Sequence, residues 1–120
     1  SQFIPIDLLN LSFAHSEDGE FELAQFYMNE YKNRYASKSE KEWADYTIAK
    51  FKFFSLKNSY TNQKQLNESL DFINKTISNY PDSIYNYELN TMKKKLELTK
   101  LLFRDRISKL YQKLDAPKSA

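Results

Sequence analysis

A chain with one glycine makes few tight turns, and this one has only Gly19 and three prolines in 120 residues. Hairpins and sharp connections draw heavily on Gly, Pro, Asn and Asp at special backbone angles. That scarcity argues against most β architectures. The apolar residues agree: nine Phe, nine Tyr and one Trp occur with no valine at all, whereas strands favour β-branched side chains. The expected fold class is all-α.

Apolar spacing divides the chain into five helices. The first covers about 5–15, with Pro5 in its first turn, where a missing N–H leaves no hydrogen bond unmade. "SEDGE" (16–20) ends it, with Gly19 free to take a left-handed turn. The second covers about 20–35, carrying Phe21, Ala24, Tyr27, Met28, Tyr31 and Tyr35 at three- and four-residue steps. In "SKSE" (37–40), Ser37 with Glu40, or Ser39 with Glu42, has the spacing of a capping box. The third helix, about 40–57, places Trp43, Tyr46, Thr47, Lys50, Phe53 and Phe54 along one side. Ile48 and Phe51 widen its apolar surface, so it is expected to be covered on more than one side. A polar loop is expected at 56–65, then a fourth helix at about 64–80 with the stripe Leu66, Leu70, Ile73, Ile77. Pro81 ends that helix and displaces Tyr80 from helical geometry. Asp82 or Ser83 then caps a long fifth helix, about 84–114, along which Leu89, Met92, Leu96, Phe103, Ile107, Leu110 and Leu114 form one face. Pro117 marks a further start.

Shifting the chain by 45 residues lays 24–38 on 69–83. Met28 meets Ile73, Tyr27 meets Phe72, Tyr35 meets Tyr80, and Ala36 meets Pro81. "DAPKSA" (115–120) also copies the spacing of "GEFELA" (19–24), as if a third unit began there. Repeated helix pairs signify an α-solenoid, in which no unit buries its apolar face alone. The tetratricopeptide unit is about 34 residues, so the 56–65 loop reads as an insertion of roughly ten. "YPDS" (80–83) and "YASK" (35–38) are then the same junction, with and without proline.

The chemistry of a catalytic or metal centre is missing from the sequence. There is no cysteine, and His15 is the sole histidine, which leaves neither a thiolate or histidine metal cluster nor a Ser–His–Asp triad. A phosphate-cradling glycine loop needs more than one glycine. No catalytic residue, metal or cofactor is expected. The tyrosines read as solenoid core with wetted hydroxyls rather than as a ligand groove. No apolar run is long enough to span a membrane. No signal peptide is visible, and the chain opens on "SQFIPIDLL" without an initiator Met, as a trimmed or processed piece would.

Charge is uneven. Residues 1–92 hold 9 Lys/Arg and 13 Asp/Glu, whereas 93–120 hold 9 and 3. The last helix is thus basic. Such a run is often only a solvated face, but Lys93, Lys100, Arg104, Arg106, Lys109 and Lys113 are the candidates for docking an acidic partner or an anionic membrane.

Three stretches give the chain a family likeness: "FELAQFYMNEYKNRYASKSEKEWADYTIA", "NSYTNQKQLNESLDFINKTISNYPDSIYNYEL" and "MKKKLELTKLLFRDRISKLYQKLDAPKSA". They resemble the middle of the BamD (YfiO/ComL) family, outer-membrane lipoproteins of Gram-negative bacteria built from tetratricopeptide-like repeats. Trp43 and Tyr46 match its second helix, and Tyr80, Pro81, Ser83 and Tyr85 its Y-P-x-S-x-Y junction. Departures are "KNSYTNQ" in the loop, Leu89 for an alanine and Ala36 for a proline.

The resemblance implies one tetratricopeptide-like domain over 1–120, with further repeats on both sides. It also implies a non-catalytic scaffold on the periplasmic face of the outer membrane, held there by a lipid anchor outside these residues. The implied partners are the POTRA-bearing subunit of the barrel assembly machine and its outer-membrane protein clients, with no nucleic acid. Gly19, Phe21, Ala24, Tyr35, Trp43, Tyr46, Tyr80, Pro81, Ser83 and Tyr85 would be structural junction residues. Two other readings stand beside it: a generic tetratricopeptide adaptor gripping a peptide in its groove, and a helical nucleic-acid binder led by the basic helix. The second is weakened because the aromatics lie early and the lysines late.

Overall fold

The computed structural model describes residues 4–56 and 62–119. Among these residues five helices and no strand occur: α1 (Pro5–Glu17), α2 (Phe21–Arg34), α3 (Lys38–Ser55), α4 (Gln63–Asn79) and α5 (Asn86–Ser119). The all-α, tetratricopeptide-like class expected from the residues holds. Successive helices pack on one another, and the body is elongated, 68 × 31 × 18 Å.

Local chemistry sets the helix ends. Gly19, at φ 77°, closes α1: its amide bonds the Ser16 carbonyl (3.0 Å) and the Glu20 amide bonds that of His15 (2.9 Å). This pair of bonds is a Schellman cap, which needs a left-handed residue at that point. Ser37 and Glu40 form the capping box of α3. The Ser37 amide donates to Glu40 Oε1 (2.8 Å) and the Glu40 amide to Ser37 Oγ (3.4 Å). These bonds to Ser37, with a further one from Tyr31, hold the Glu40 carboxyl below its ordinary pKa. Asn62 caps α4 by accepting from the Gln65 amide (3.0 Å), so 63–65 are helix rather than loop. Residues 57–61 of the expected loop lie outside the described residues.

The packing explains the 45-residue shift. Ala24 and Ser69, Met28 and Ile73, and Tyr31 and Thr76 are equivalent positions on α2 and α4, and all six are buried. The register carries into the next helices. Ala44 and Leu89, Thr47 and Met92, and Phe51 and Leu96 are buried equivalents on α3 and α5. Small residues sit where neighbours come closest. Ala24 is fully buried, and Ser12 of α1 is near enough to donate its hydroxyl to the Ala24 carbonyl at 2.7 Å.

Two cores result. Leu8, Ala24, Met28, Tyr31, Ala44, Ile48 and Phe51 form one between α1, α2 and α3. Tyr46, Ala49, Leu66, Leu70, Ile73, Leu89, Met92 and Leu96 form the other between α3, α4 and α5. Helix α3 serves both, as its broad apolar surface implied. Its buried residues are mostly small or medium, whereas Phe54 is exposed. The pattern reading had weighted the large aromatics and missed Ala44 and Ala49.

Helix α5 departs from expectation at both ends. It begins at Asn86, after a turn in which Ser83 Oγ accepts from the Tyr85 amide (3.1 Å). It also runs through Pro117 to Ser119 instead of stopping near 114. Proline disfavours this by removing one backbone bond. The helical turn runs on through 115–119, so the break that the spacing of "DAPKSA" suggested does not form there. Ala120 of that phrase lies outside the described residues.

Candidate docking surfaces

The predicted junction residues fall into two groups. Gly19, Phe21 and Ala24 lie at the α1–α2 turn, where His15 Nδ1 meets Glu20 Oε1 at 2.9 Å and the His15 ring stacks on Tyr27 (5.5 Å, 9°). Phe21 packs near Phe51 and Phe54 with ring centroids 6.2 and 6.4 Å away.

The second group converges on α3. Tyr35 and Tyr80 are the C-cap residues that follow α2 and α4, at φ −128° and −130°. Their ψ values differ, −22° against 69°, because a following proline drives its predecessor out of the helical region. Released in this way, the "YPDSIYN" turn folds back onto α3. The Tyr80 hydroxyl donates to Asp45 Oδ2 (2.8 Å), and Lys32 Nζ donates to Asp45 Oδ1 (2.9 Å). Ser83 Oγ donates to Glu42 Oε2 (3.0 Å). The Tyr85 ring stacks on Tyr46 (4.2 Å, 12°), and the Tyr46 hydroxyl donates to Glu88 Oε2 (2.5 Å). Asn86 Nδ2 ties the turn to the Tyr80 and Pro81 carbonyls (2.8 and 3.1 Å). Trp43 packs against both cores, 6.0 Å from Phe13 and 6.3 Å from Tyr31, edge-on to the latter.

This cluster is a clamp. Burial, the Asp45 bond and the charges of Asp45 and Glu42 push the Tyr80 phenol up to about 12. Burial and the Glu88 carboxylate push Tyr46 higher still. A phenol held neutral in this way is a poor base or nucleophile at neutral pH. Among the described residues no group of three or more His, Cys, Asp or Glu side chains is placed to hold a metal ion. Sequence reading missed the clamp's acceptors, Glu42, Asp45 and Glu88, together with Lys32 and Asn86. The i, i+3 spacing of Glu42 and Asp45 puts both on one side of α3, a signal that identifies them only once the facing turn is known.

What remains for partners is the surface. Ile84 and Tyr87, beside the clamp, are each 84% exposed. The basic residues of α5 do not share one face. At about 100° per residue, Lys93, Lys100 and Arg104 fall on one side of the helix, and Arg106, Lys109 and Lys113 on the other. Between them runs the apolar stripe. Its inner part, Leu89, Met92 and Leu96, is buried against α3 and α4. Farther out, Phe103 is half-buried, and Leu110 and Leu114 are 53% and 59% exposed. Lys109 pairs with Asp105 (3.0 Å). Lys100 and Arg104 line a shallow groove with Asp71 of α4 and Glu97.

Paired helices in register at 45 residues, clamped by a Tyr-Pro turn, define a tetratricopeptide-like repeat chain. No family model and no solved structure matches it. Among curated proteins it is similar to the outer membrane protein assembly factor BamD of Helicobacter pylori (strain ATCC 700392 / 26695), 26% identical over 117 residues. The match covers 98% of this chain and 53% of the relative, so the chain spans about half the length of the curated protein it matches. The likeness bears out the resemblance read from the three quoted stretches. No helix among the described residues is long and apolar enough to cross a membrane.

Proposed function

We propose that the chain is a non-catalytic scaffold segment of the machinery that inserts β-barrel proteins into the bacterial outer membrane. It works at the periplasmic face, and a lipid anchor outside these residues holds it there. One observation carries the reading: the similarity to an outer membrane protein assembly factor runs across 98% of the chain. The architecture supports it. A stack of helices clamped through the hydroxyls of Tyr46 and Tyr80 supplies a rigid surface. The partners are the POTRA-bearing barrel subunit and unfolded outer-membrane clients. The α5 surface, with Lys93, Lys100, Arg104, Arg106, Lys109 and Lys113, is the part offered to the barrel subunit.

Affinity capture tests this. The tagged full-length protein is used on detergent-solubilised envelope from its own bacterium, and retained proteins are identified by mass. The expected result is enrichment of a POTRA-bearing barrel protein over an untagged control. Capture of soluble proteins alone would favour the generic adaptor instead.

A further inference from the structure

The two repeats part company on the outer face of α2. At about 100° per residue, Glu22, Leu23, Phe26 and Glu30 lie on the side turned away from Ala24, Met28 and Tyr31, which are buried. Leu23 and Phe26 are 43% and 55% exposed. The 45-residue shift places Glu68 and Asp71 of α4 at their positions, and both are exposed there too. Helix α2 has the following pair, α4 and α5, in place, and that pair leaves Leu23 and Phe26 open. Helix α4 has the preceding helices in place, with Phe72 packed against the core of α1, α2 and α3, and Glu68 and Asp71 stay open. A repeat added before or after in the same register therefore leaves this face of α2 uncovered.

We infer that this face docks a basic amphipathic helix of a partner protein. A helix laid along α2 meets Leu23 and Phe26 with apolar residues three or four apart. Phe26 stands edge-on to Tyr27, whose ring stacks on His15, with centroids 5.3 and 5.5 Å apart. The rim sets the occupant's charge. Glu22 and Glu30 stand one turn to either side of Phe26, and Glu17, Asp18 and Glu20 surround the turn at the head of the helix. From 16 to 30 there are five Asp/Glu and no Lys/Arg, whereas the equivalent stretch 61–75 has two of each. Glu30 pairs with Arg34 and Glu20 meets His15, each at 2.9 Å. No ion pair engages Glu17, Asp18 or Glu22 among the described residues. A lysine or arginine set between these carboxylates and the Phe26 ring gains from both. The same rim repels an anionic bilayer. A second copy offers its basic α5, but a contact between unlike faces does not close and propagates into open chains.

The inference rests on the repeat packing and not on the role in barrel assembly, and its test uses no envelope protein, so either can fail alone. Three fluorescent helical peptides of about 20 residues, long enough to cover α2, serve as probes. One has a leucine stripe edged by Lys, one the same stripe edged by Glu, and one a serine stripe edged by Lys. Anisotropy titration of the full chain should show the Lys-edged leucine peptide binding about tenfold or more tighter than the other two, and weakening as salt rises. Phe26→Ser, at an exposed position outside both cores, should weaken that binding by about tenfold with the helical circular dichroism unchanged. Glu22→Lys should also weaken it, whereas Asp71→Ser, at the equivalent site on α4, should leave it unchanged. Equal binding of the Lys- and Glu-edged peptides, no binding of any, or indifference to Phe26→Ser would overturn the inference. So would self-association in sedimentation, or attachment to phosphatidylcholine vesicles, that Phe26→Ser abolishes, since the occupant would then be a second copy or a bilayer.

Discussion

Ile73→Ala is expected to lower the unfolding free energy by about 2–5 kcal/mol, the range for deleting a large aliphatic side chain from a closed core. Ile73 is fully buried among Leu66, Leu70, Leu89, Met92 and Leu96, where α4 meets α3 and α5. Alanine would leave a cavity that three packed helices cannot collapse to fill. Urea denaturation of wild type and variant reads the difference. Hydrogen exchange should place the loss first in α4 and α5, because the core around Met28, between α1, α2 and α3, is untouched. A loss below about 1 kcal/mol, the scale of a surface change, would mean that α4 is not seated on α3 as described.

Asp45→Ala is expected to cost about 2–3 kcal/mol, because it strands two donors at once. Lys32 Nζ and the Tyr80 hydroxyl both bond this carboxylate, whose side chain is only 13% exposed. Tyr80→Phe removes one bond and leaves the Lys32 pair, so it should cost about 1 kcal/mol. The double variant should cost less than the sum of the two. Alkaline pH probes the same bond. The folded Tyr80 phenol lies near 12 against an ordinary 10, so folding favours its neutral form. That contribution is complete below about pH 10 and fades as pH rises through 12. In Asp45→Ala the burial cause remains but the bond and nearest charge go, so less stability is lost over that interval. The deficit relative to wild type should therefore narrow as pH climbs. A deficit that stays constant as pH rises from 9 to 12 would show that Tyr80 and Asp45 are not coupled.

Most helix ends could be read from single residues, because capping is local. Pro5, Gly19, Ser37 with Glu40, and Pro81 each act within one turn of themselves. The 45-residue shift was legible because the same burial recurs: Met28 and Ile73 differ in type but fill equivalent gaps. Other features depend on neighbours distant in the chain. The buried role of Ser12 follows from the passage of Ala24 beside it, and the partners of Tyr80 and Ser83 lie more than thirty residues away on α3. Helix α5 shows the opposite failure. Its stripe was read correctly as one face, but periodicity alone cannot say that cover by the described helices ends near Phe103 while α5 continues. The basic residues were read as one surface, and their helical phase divides them across two borders.

The central claim is that this stack of helices is a docking scaffold for barrel assembly. Titration calorimetry of the full-length protein against the purified periplasmic POTRA region of the barrel subunit from the same bacterium tests it most directly. The account predicts a one-to-one complex that weakens with salt and when Lys93, Lys100 and Arg104, or Arg106, Lys109 and Lys113, are changed to Glu. The absence of binding heat at low salt, with both proteins folded by circular dichroism, would contradict it.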